Sequence, residues 1–278
     1  MTIRQAVTDG AKRLPHAQTP LLDAIVLLSL AAGFSKEQLL ASYPEQLTDD
    51  VSVRYEKLLD LRRKGMPVSY IRKKKEFYSL EFSVGPGVLV PRPETEILVD
   101  VVIDLIGKHP AAWKVHDACT GSGCVAISIK HELPAADISV SDISEDVLIY
   151  FKHNSMTILG EELPSTRSDL LAAVSGVFDV IVANPPYLTS ERWAQMAADG
   201  WPEPALALDG GPDGLEPYKK LIPQSSAHLR PGGYLLLEAD PPQFVTIQKL
   251  LVQNGFHNAI IYTDLAGRQR AIRAESEN

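Results

Sequence analysis

Cysteine is scarce in this sequence. Only two of its 278 residues are cysteines, Cys119 and Cys124, and both flank a glycine turn with no cluster of cysteine or histidine nearby. A disulfide framework or a zinc site needs such a cluster, so we expect neither of these nor any other metal site. We interpret both cysteines as buried small residues.

Apolar runs long enough for targeting or membrane insertion are also missing. The N-terminal segment MTIRQAVTDGAKRL lacks the apolar core of a signal peptide. No apolar run reaches the ~18 residues that indicate a transmembrane helix. We therefore expect a cytoplasmic chain that has no membrane partner.

Positive charge is in deficit. Lysine and arginine total 27 against 35 aspartates and glutamates, and the formal net charge of −8 argues against a protein that coats nucleic acid by neutralising phosphates. Stable DNA binding is therefore not expected. Arg72 to Lys75 form a local basic run, which is either a solvated face or a contact for an acidic partner or ribosomal RNA. The remaining composition, with 45% apolar and 22% charged residues, is typical of a globular enzyme.

Residues 1–75 have the pattern of a small helical domain. The apolar spacing of PLLDAIVLLSLAAGF predicts a buried helix that stops at Gly33. A capping box from Ser35 to Gln38 predicts the start of a second helix, and VSVRYEKLLDLRRKG predicts a third that ends at Gly65. Nothing here indicates catalysis, so we interpret this region as a substrate-recognition domain.

The pattern changes at residue 76. In residues 76–92 the segments EFYSLEFSV and VLVP flank Gly85-Pro86-Gly87, which predicts a β-hairpin linker. Residues 93–278 alternate predicted helices with the apolar strands WKVHDA, DISVSD, FDVIVA and GYLLLEA, which favours an α/β fold with a doubly wound, mostly parallel sheet. A short Ala-Gly turn joins NAIIYTDL to RQRAIRAE, so these two strands should form an antiparallel hairpin at the sheet edge.

A glycine turn, HDACTGSGCVA, joins the first strand of this sheet to its helix. Gly121 and Gly123 allow a ligand to lie against the backbone at the helix N-terminus. Together with Ala126 they fit the loose dinucleotide fingerprint, and Asp142 follows at the ~20-residue distance expected of a ribose-binding carboxylate. Against NAD, Asp117 precedes and lengthens the turn, and an acidic residue there suits a cationic ligand such as S-adenosylmethionine. A purely structural turn is the third interpretation.

Two aspartates follow the next strands. Asp142 closes DISVSD, and a carboxylate at the carboxyl end of a strand can accept both hydroxyls of a ribose in the ligand crevice of such sheets. The competing interpretation is an N-cap for the helix after it, a role that Ser144 could also fill. Asp169, in a Ser-Asp-Leu stretch before FDVIVA, is a candidate partner for an adenine amino group.

Asn184-Pro185-Pro186-Tyr187 follows FDVIVA and should face the same crevice. The side-chain oxygen of Asn184 accepts hydrogen bonds, and the prolines fix the chain path and present carbonyls without competing donors. Two converging acceptors suit an NH₂ group, and Tyr187 can lie flat on a planar amide or base. We interpret this corner as a clamp for a weakly nucleophilic nitrogen rather than as a tight structural turn.

The corner and its flanking segments resemble the HemK/PrmC-type release factor glutamine methyltransferases over nearly the whole chain. The corner itself is shared with adenine-N6 DNA methyltransferases and other amino methyltransferases. The segments VLVPRPETEILVD, EPALALDGGPDGLEPYKKLI, DLAGRQR and GMPVSYIRKKKEFYSLEF are more specific, because each is similar to a stretch of this one family.

The resemblance implies a seven-stranded class I methyltransferase fold and a reaction. S-adenosylmethionine would methylate the side-chain amide N5 of the glutamine in the Gly-Gly-Gln motif of peptide-chain release factors, leaving S-adenosylhomocysteine. The alternative is an adenine-N6 or other nucleic-acid amino methyltransferase. We expect a monomer. By motif match, the catalytic and substrate-binding residues are Asn184, Pro185, Pro186 and Tyr187, and the cofactor-binding residues are Cys119, Thr120, Gly121, Ser122, Gly123, Asp142, Asp169, Leu170 and Asn184.

Some positions depart from the family pattern. Ala118 and Cys119 replace a leucine and the first glycine of the usual turn, and Lys73 stands where the linker often has glycine. A side chain at Cys119 is expected to alter cofactor affinity. Arg92 and Glu94, in PRPETE, are either a structural ion-pair hub or direct substrate contacts.

Overall fold

The computed structural model describes residues 1–107, 113–264 and 266–277. The chain divides into two compact units, one formed by Met1–Lys74 with Ala197–Pro202 and the other by Lys75–Met196 with Glu203–Asn278. None of the helices within the described ranges combines the length and the hydropathy that a transmembrane span requires.

The N-terminal unit is helical. Its helices are α1 (Ile3–Lys12), α2 (Pro20–Ala32), α3 (Lys36–Ala41), α4 (Asp49–Arg63) and α5 (Val68–Arg72). The predicted stop at Gly33 is confirmed by its left-handed conformation, and the capping box of Ser35 and Gln38 is present. Helix α1, which the sequence pattern does not delimit, begins with a second capping box, between Thr2 and Gln5. Buried side chains from these helices form one apolar core, including Ile3, Val7, Leu27, Leu28, Leu39, Tyr55 and Leu59.

The predicted hairpin of residues 76–92 is wrong in position. The two paired strands are β1 (Lys74–Phe77) and β2 (Leu80–Ser83), and the segment VLVP forms no strand. The turn lies at Tyr78 and Ser79, whose φ angles of 51° and 60° are both in the left-handed region. Two-residue hairpin turns favour this conformation because it matches the twist of the strands. The glycine and proline signal at 85–87 therefore marks a bend after the hairpin rather than its turn.

The larger unit is built on a seven-stranded sheet, which confirms the predicted fold class. Its helices are α6 (Glu96–Ile106), α7 (Cys124–Glu132), α8 (Glu145–Leu159), α9 (Ser190–Ala198), α10 (Glu216–His228) and α11 (Phe244–Gln253). Its strands are β3 (Lys114–Ala118), β4 (Asp137–Asp142), β5 (Ser165–Arg167), β6 (Phe178–Ala183), β7 (Leu229–Glu238), β8 (Phe256–Thr263) and β9 (Gln269–Ser276).

The strand order is β5-β4-β3-β6-β7-β9-β8. The first five strands in this order, from β5 across to β7, pair in parallel with their neighbours. Strand β9 lies between β7 and β8 and is antiparallel to both, which confirms the predicted C-terminal hairpin. Separate apolar cores cover the two faces of the sheet, one containing Phe151 of α8 and the other Phe244 of α11.

The sheet order also fixes where a ligand can bind. The chain runs outward from β3 to β5 and then returns to the other side of β3 with β6, so the order reverses between β3 and β6. In the parallel register, Ala118 pairs with Ser141 on one side and with Ala183 on the other. The residues that follow these strands therefore meet at one edge, where open α/β sheets bind their ligands.

Candidate active site

A cavity of about 300 Å³ opens at this edge of the sheet. That volume is at the lower end of the range typical of small-molecule sites. Most of the residues predicted for the site line it, namely Cys119, Thr120, Gly121, Ser122, Asp142, Asp169, Leu170, Asn184 and Pro186. Gly123, Pro185 and Tyr187 are not among its lining residues. Tyr187 instead borders a smaller cavity of about 30 Å³ beside Asn184 and Arg92.

The glycine turn has the backbone that its sequence predicts, but its two glycines have different physical reasons. Gly121 has a φ of +58°, and a Cβ added there would meet no protein atom within 4 Å. Gly123 has a φ of +83°, and an added Cβ would lie 2.5 Å from Cδ2 of Phe151 and 2.9 Å from Cδ1 of Ile127. Gly123 therefore serves helix packing, while Gly121 lines the cavity.

Asp117 is one of the lining residues of the cavity and is buried, with an exposed fraction of 2%. The hydroxyl of Thr120 donates to its Oδ2 at 2.7 Å. Burial raises the pKa of the carboxyl group to about 7, although the hydrogen bond from Thr120 opposes the shift. A buried carboxylate of this kind is stabilised by a cation, so its position favours a positively charged ligand.

Asp142 follows β4 and accepts two main-chain hydrogen bonds. Gly121 donates to its Oδ2 and Ser144 to its Oδ1, both at 3.0 Å. Burial raises the pKa of Asp142, and these two donors oppose that shift. The N-cap of α8 is Ser144, whose Oγ accepts from the main-chain nitrogen of Val147. Asp142 is therefore not the cap, and each carboxylate oxygen retains a lone pair for a ligand hydroxyl.

The segment after β5 contributes Ser168, Asp169 and Leu170 to the cavity wall. Asp169 is exposed, and its Oδ2 lies 3.8 Å from Nζ of Lys220. Leu170 is buried with a φ of 56°, and its carbonyl accepts a hydrogen bond from the hydroxyl of Ser141 at 3.0 Å. This bond fixes a strained main-chain position in the wall.

The corner after β6 is held by side chains that are distant in sequence. Asn184 donates through Nδ2 to the hydroxyl oxygen of Thr95 at 3.2 Å. The side-chain nitrogen of Gln243 donates to the carbonyls of both Tyr187 and Gly214, each at 2.9 Å. The amide of Gln243 therefore ties the corner at Tyr187 to the chain at Gly214 and fixes the path of the corner.

The loop from 205 to 216 packs against this corner. The main-chain nitrogen of Leu188 donates to Leu208, and that of Gly210 donates back to Leu188. A Cβ added at Gly210 would lie 2.7 Å from the carbonyl oxygen of Pro186. Two of the three glycines of this loop, Gly210 and Gly214, therefore allow its backbone to approach the corner closely.

Glu238, Thr95 and Gln243 were not predicted as site residues. Glu238 ends β7 and is 1% exposed, and burial raises its pKa to about 7. Thr95 is 2% exposed in a short 3-10 helix before α6. A signal for Glu238 was available, because a carboxylate at the end of the apolar strand GYLLLE repeats the pattern that indicated Asp142.

Arg92 was predicted as either an ion-pair hub or a substrate contact. It borders both cavities and donates through Nη2 to Oε2 of Glu203. The other carboxylate oxygen of Glu203, which is buried, accepts from the main-chain nitrogen of Val90 at 2.8 Å. Arg92 is therefore part of a structural ion pair, and a direct role in substrate contact stays a prediction.

Comparisons with known proteins agree with this architecture. The protein-family model of the PrmC N-terminal domain matches residues 5–72, and the family model of the methyltransferase small domain matches residues 94–200. The chain is 37% identical to the release factor glutamine methyltransferase of Moorella thermoacetica over 99% of this chain and 98% of that protein. It is also 37% identical to the protein of that name from Koribacter versatilis, over 87% of this chain and 89% of that one.

A solved structure shows the same fold at lower identity. The T. thermophilus 16S rRNA N2 G1207 methyltransferase, in complex with AdoMet and guanosine, is 18% identical with a TM-score of 0.54, covering 73% of this chain and 49% of that one. This likeness concerns the fold, whereas the relatives in sequence extend over both units of the chain. On their evidence, and as its sequence motifs predicted, the chain belongs to the release factor glutamine methyltransferase family.

Proposed function

We propose that this protein transfers a methyl group from S-adenosylmethionine to the side-chain amide nitrogen N5 of the glutamine in the Gly-Gly-Gln motif of peptide-chain release factors. The observation that carries the proposal is the placement of Asn184. Its amide lines the cavity that Gly121 and Asp142 also line, at the edge where β3 and β6 end. The relatives that match both units are named for this activity.

The residues of the cavity fit S-adenosylmethionine. The carboxylate of Asp142 can accept hydroxyl groups of a ribose, and the buried Asp117 suits a ligand with amino and sulfonium charges. Asp169 and Leu170 would lie on the adenine side, and the turn from Cys119 to Ser122 would face the rest of the molecule. The structural relative described with AdoMet shares this fold. S-adenosylmethionine supplies an electrophilic methyl group, and S-adenosylhomocysteine is the product.

The corner supplies acceptors for a substrate amide. The lone pair of an amide nitrogen is delocalised into its carbonyl, so the nitrogen is a poor nucleophile. Asn184 Oδ1 and a proline carbonyl would accept the two N–H groups, which favours a pyramidal nitrogen and stabilises positive charge developing on it. Tyr187 and Pro185 would fix the path of the corner around that amide. Orientation of the two reactants contributes several kcal/mol more, up to about 7–11 in favourable cases.

No general base is needed before transfer. The N–H group of the amide becomes acidic only as the new N–C bond forms and the nitrogen acquires positive charge. Its proton can therefore leave after the methyl group has been transferred. The roles of the chain are therefore to bind, to orient and to exclude water from the reacting groups.

Residues 1–75 would act as the substrate-recognition domain of a monomeric enzyme. A Gly-Gly-Gln tripeptide offers little surface, whereas a stable protein complex buries ~800 Å² per partner. The helical unit has its own apolar core, so it can present a rigid surface to a release factor. A chain that begins near residue 75 should retain cofactor binding and lose most of its kcat/KM on the intact release factor.

The test is methyl transfer from labelled S-adenosylmethionine to a purified release factor. Its Gly-Gly-Asn variant and a DNA duplex are the matched substrates. Label on the wild-type factor alone supports the proposal, and label on the duplex would instead indicate a nucleic-acid amino methyltransferase. Asn184→Ala should abolish transfer while calorimetry shows that cofactor binding survives, and full turnover by this variant would refute the role of Asn184.

A further inference from the structure

Glu238 is a buried carboxylate that has no direct role in the proposed methyl transfer. Within the described part of the chain, neither of its side-chain oxygens has a hydrogen-bond partner. Its main-chain oxygen accepts from the hydroxyl of Tyr218 at 2.6 Å, which fixes the end of β7. The parallel register pairs Ala183 with Leu237, so Asn184, which follows β6, lies next to Glu238, the last residue of β7. An unpartnered acid thus lies beside the acceptor corner.

The groups around this carboxylate include two hydroxyls. The hydroxyl of Thr95 contacts Asn184, which follows the adjacent strand and lies next to Glu238, although neither Thr95 nor Tyr187 forms a hydrogen bond with the carboxylate. Both hydroxyls also act to lower the pKa of Glu238. Arg270 also lowers this pKa, whereas Glu94 raises it. An isolated buried acceptor is costly, so a carboxylate in this position favours the orientation in which nearby hydroxyl protons point towards it.

Thr95 is the link between Glu238 and Asn184. A hydroxyl has one proton to donate and two lone pairs with which to accept. The oxygen of Thr95 already accepts from Nδ2 of Asn184. If the proton of Thr95 points to Glu238, only lone pairs face Asn184, and these can pair with the NH₂ end of its amide but not with the carbonyl end.

We propose that Glu238 is a positioning residue that acts through Thr95: it orients the Thr95 hydroxyl, which holds the Asn184 amide with its NH₂ inward and its Oδ1 towards the substrate. This inference rests on the proposed function. A primary amide has nearly the same shape after a half turn, so packing alone does not select its orientation. With the amide reversed, the NH₂ of Asn184 would face the NH₂ of the substrate, and the acceptor would be lost.

Four variants test this arrangement, with kcat, KM for the release factor, the Kd of S-adenosylmethionine and the urea midpoint measured for each. Thr95→Val keeps the shape of the side chain and removes its hydroxyl, so kcat should fall at least tenfold; the ~10²–10³-fold loss seen when a single polar group that stabilises a transition state is removed is the upper limit for a residue that acts indirectly. Thr95→Ser, which keeps the hydroxyl, should restore most of that turnover. The Kd of S-adenosylmethionine should change less than about twofold in both.

Glu238→Met and Glu238→Gln separate positioning from structural support. Glu238→Met removes the acceptor with little change in volume, and because an unpaired buried carboxyl group is itself costly, its replacement by an apolar side chain should not destabilise the protein. We expect kcat to fall at least tenfold without a lower urea midpoint. Glu238→Gln retains a carbonyl oxygen that can accept from Thr95, so it should be the more active of the two.

Each outcome has a distinct meaning. Wild-type turnover by Thr95→Val, or a Thr95→Ser variant as slow as Thr95→Val, would overturn the proposal. So would a loss of activity in Glu238→Met that follows a loss of stability. If the wild-type enzyme fails to methylate the release factor at all, the proposed function fails first, and the variants then do not bear on the positioning of Asn184.

Discussion

Alanine at Gly123 should destabilise the fold more than alanine at Gly121, although both glycines lie in one turn and both have positive φ angles. A left-handed conformation costs an alanine about 1–2 kcal/mol. At Gly121, where an added Cβ meets no protein atom within 4 Å, that strain is the main cost. At Gly123 the Cβ would lie 2.5 Å from Phe151, a fully buried side chain, and overpacking of a core adds about 1–3 kcal/mol.

Urea unfolding without cofactor measures these costs, and Gly160→Ala is the matched control. Gly160 ends α8 with a φ of +77°, and a Cβ added there also meets nothing within 4 Å. We expect losses of about 1–2 kcal/mol for Gly160→Ala and Gly121→Ala, and about 2–5 kcal/mol for Gly123→Ala. The difference between Gly123→Ala and Gly160→Ala then gives the packing cost alone.

Gly121→Ala should lower the affinity for the cofactor more than Gly123→Ala does, which is the reverse of their effects on stability. Gly121 lines the cavity, so its added methyl group should weaken the binding of S-adenosylmethionine in calorimetry, whereas Gly123→Ala acts mainly on stability. Equal losses of unfolding free energy in all three variants would refute the packing role of Gly123. Unchanged affinity in Gly121→Ala would refute close approach of a ligand to that glycine.

Three further predictions concern single side chains of the larger unit. Asp142→Ala should raise the Kd of S-adenosylmethionine by at least tenfold, because charge-assisted hydrogen bonds contribute about 1.5–3 kcal/mol each; an unchanged Kd in calorimetry would contradict ribose binding. Cys119 has a φ of 60°, so Cys119→Gly should be more stable than Cys119→Ala by about 1 kcal/mol, the reverse of the usual order, and urea midpoints in the usual order would exclude strain there. Burial raises the pKa of Glu238 from 4.5 to about 7, so wild-type stability relative to Glu238→Gln should be greatest below pH 4.5, fall by about 3 kcal/mol between pH 4.5 and 7, and level off above pH 7. Asp117 titrates in the same window but is common to both proteins, so a difference in unfolding free energy that is constant with pH would contradict the Glu238 assignment.

Local signals predicted much of the fold. The end of α2 at Gly33 and the capping box at Ser35 follow from short-range rules, and the alternating pattern identified most strands of the sheet. Strand β5 was missed because Ser165–Arg167 is only three residues long and has no apolar periodicity. The hairpin turn was predicted in the wrong place because Tyr78 and Ser79 adopt left-handed conformations, which are uncommon for tyrosine and serine.

The candidate site likewise contains residues that the sequence predicted and residues that it did not. Residues within a recognisable motif, such as Gly121, Asp142 and Asn184, do line one cavity, and their roles in binding and catalysis stay predictions. Thr95 and Gln243 could not be found from local patterns, because the segments that they hold are 89 and 56 residues away in sequence. Their contacts arise from strand register and helix packing, which a periodicity argument does not specify.

The position of β9 has a consequence for how the chain folds during synthesis. A ribosome delivers β8 before β9, yet β9 occupies the place next to β7 and β8 lies beyond it. The edge of β7, which ends in Glu238, therefore has no partner until Gln269–Ser276 has been made. Unpaired strand edges are prone to aggregation in a nascent chain. We expect the larger unit to reach its native sheet only in a late, concerted step, when the β8–β9 hairpin docks through β9.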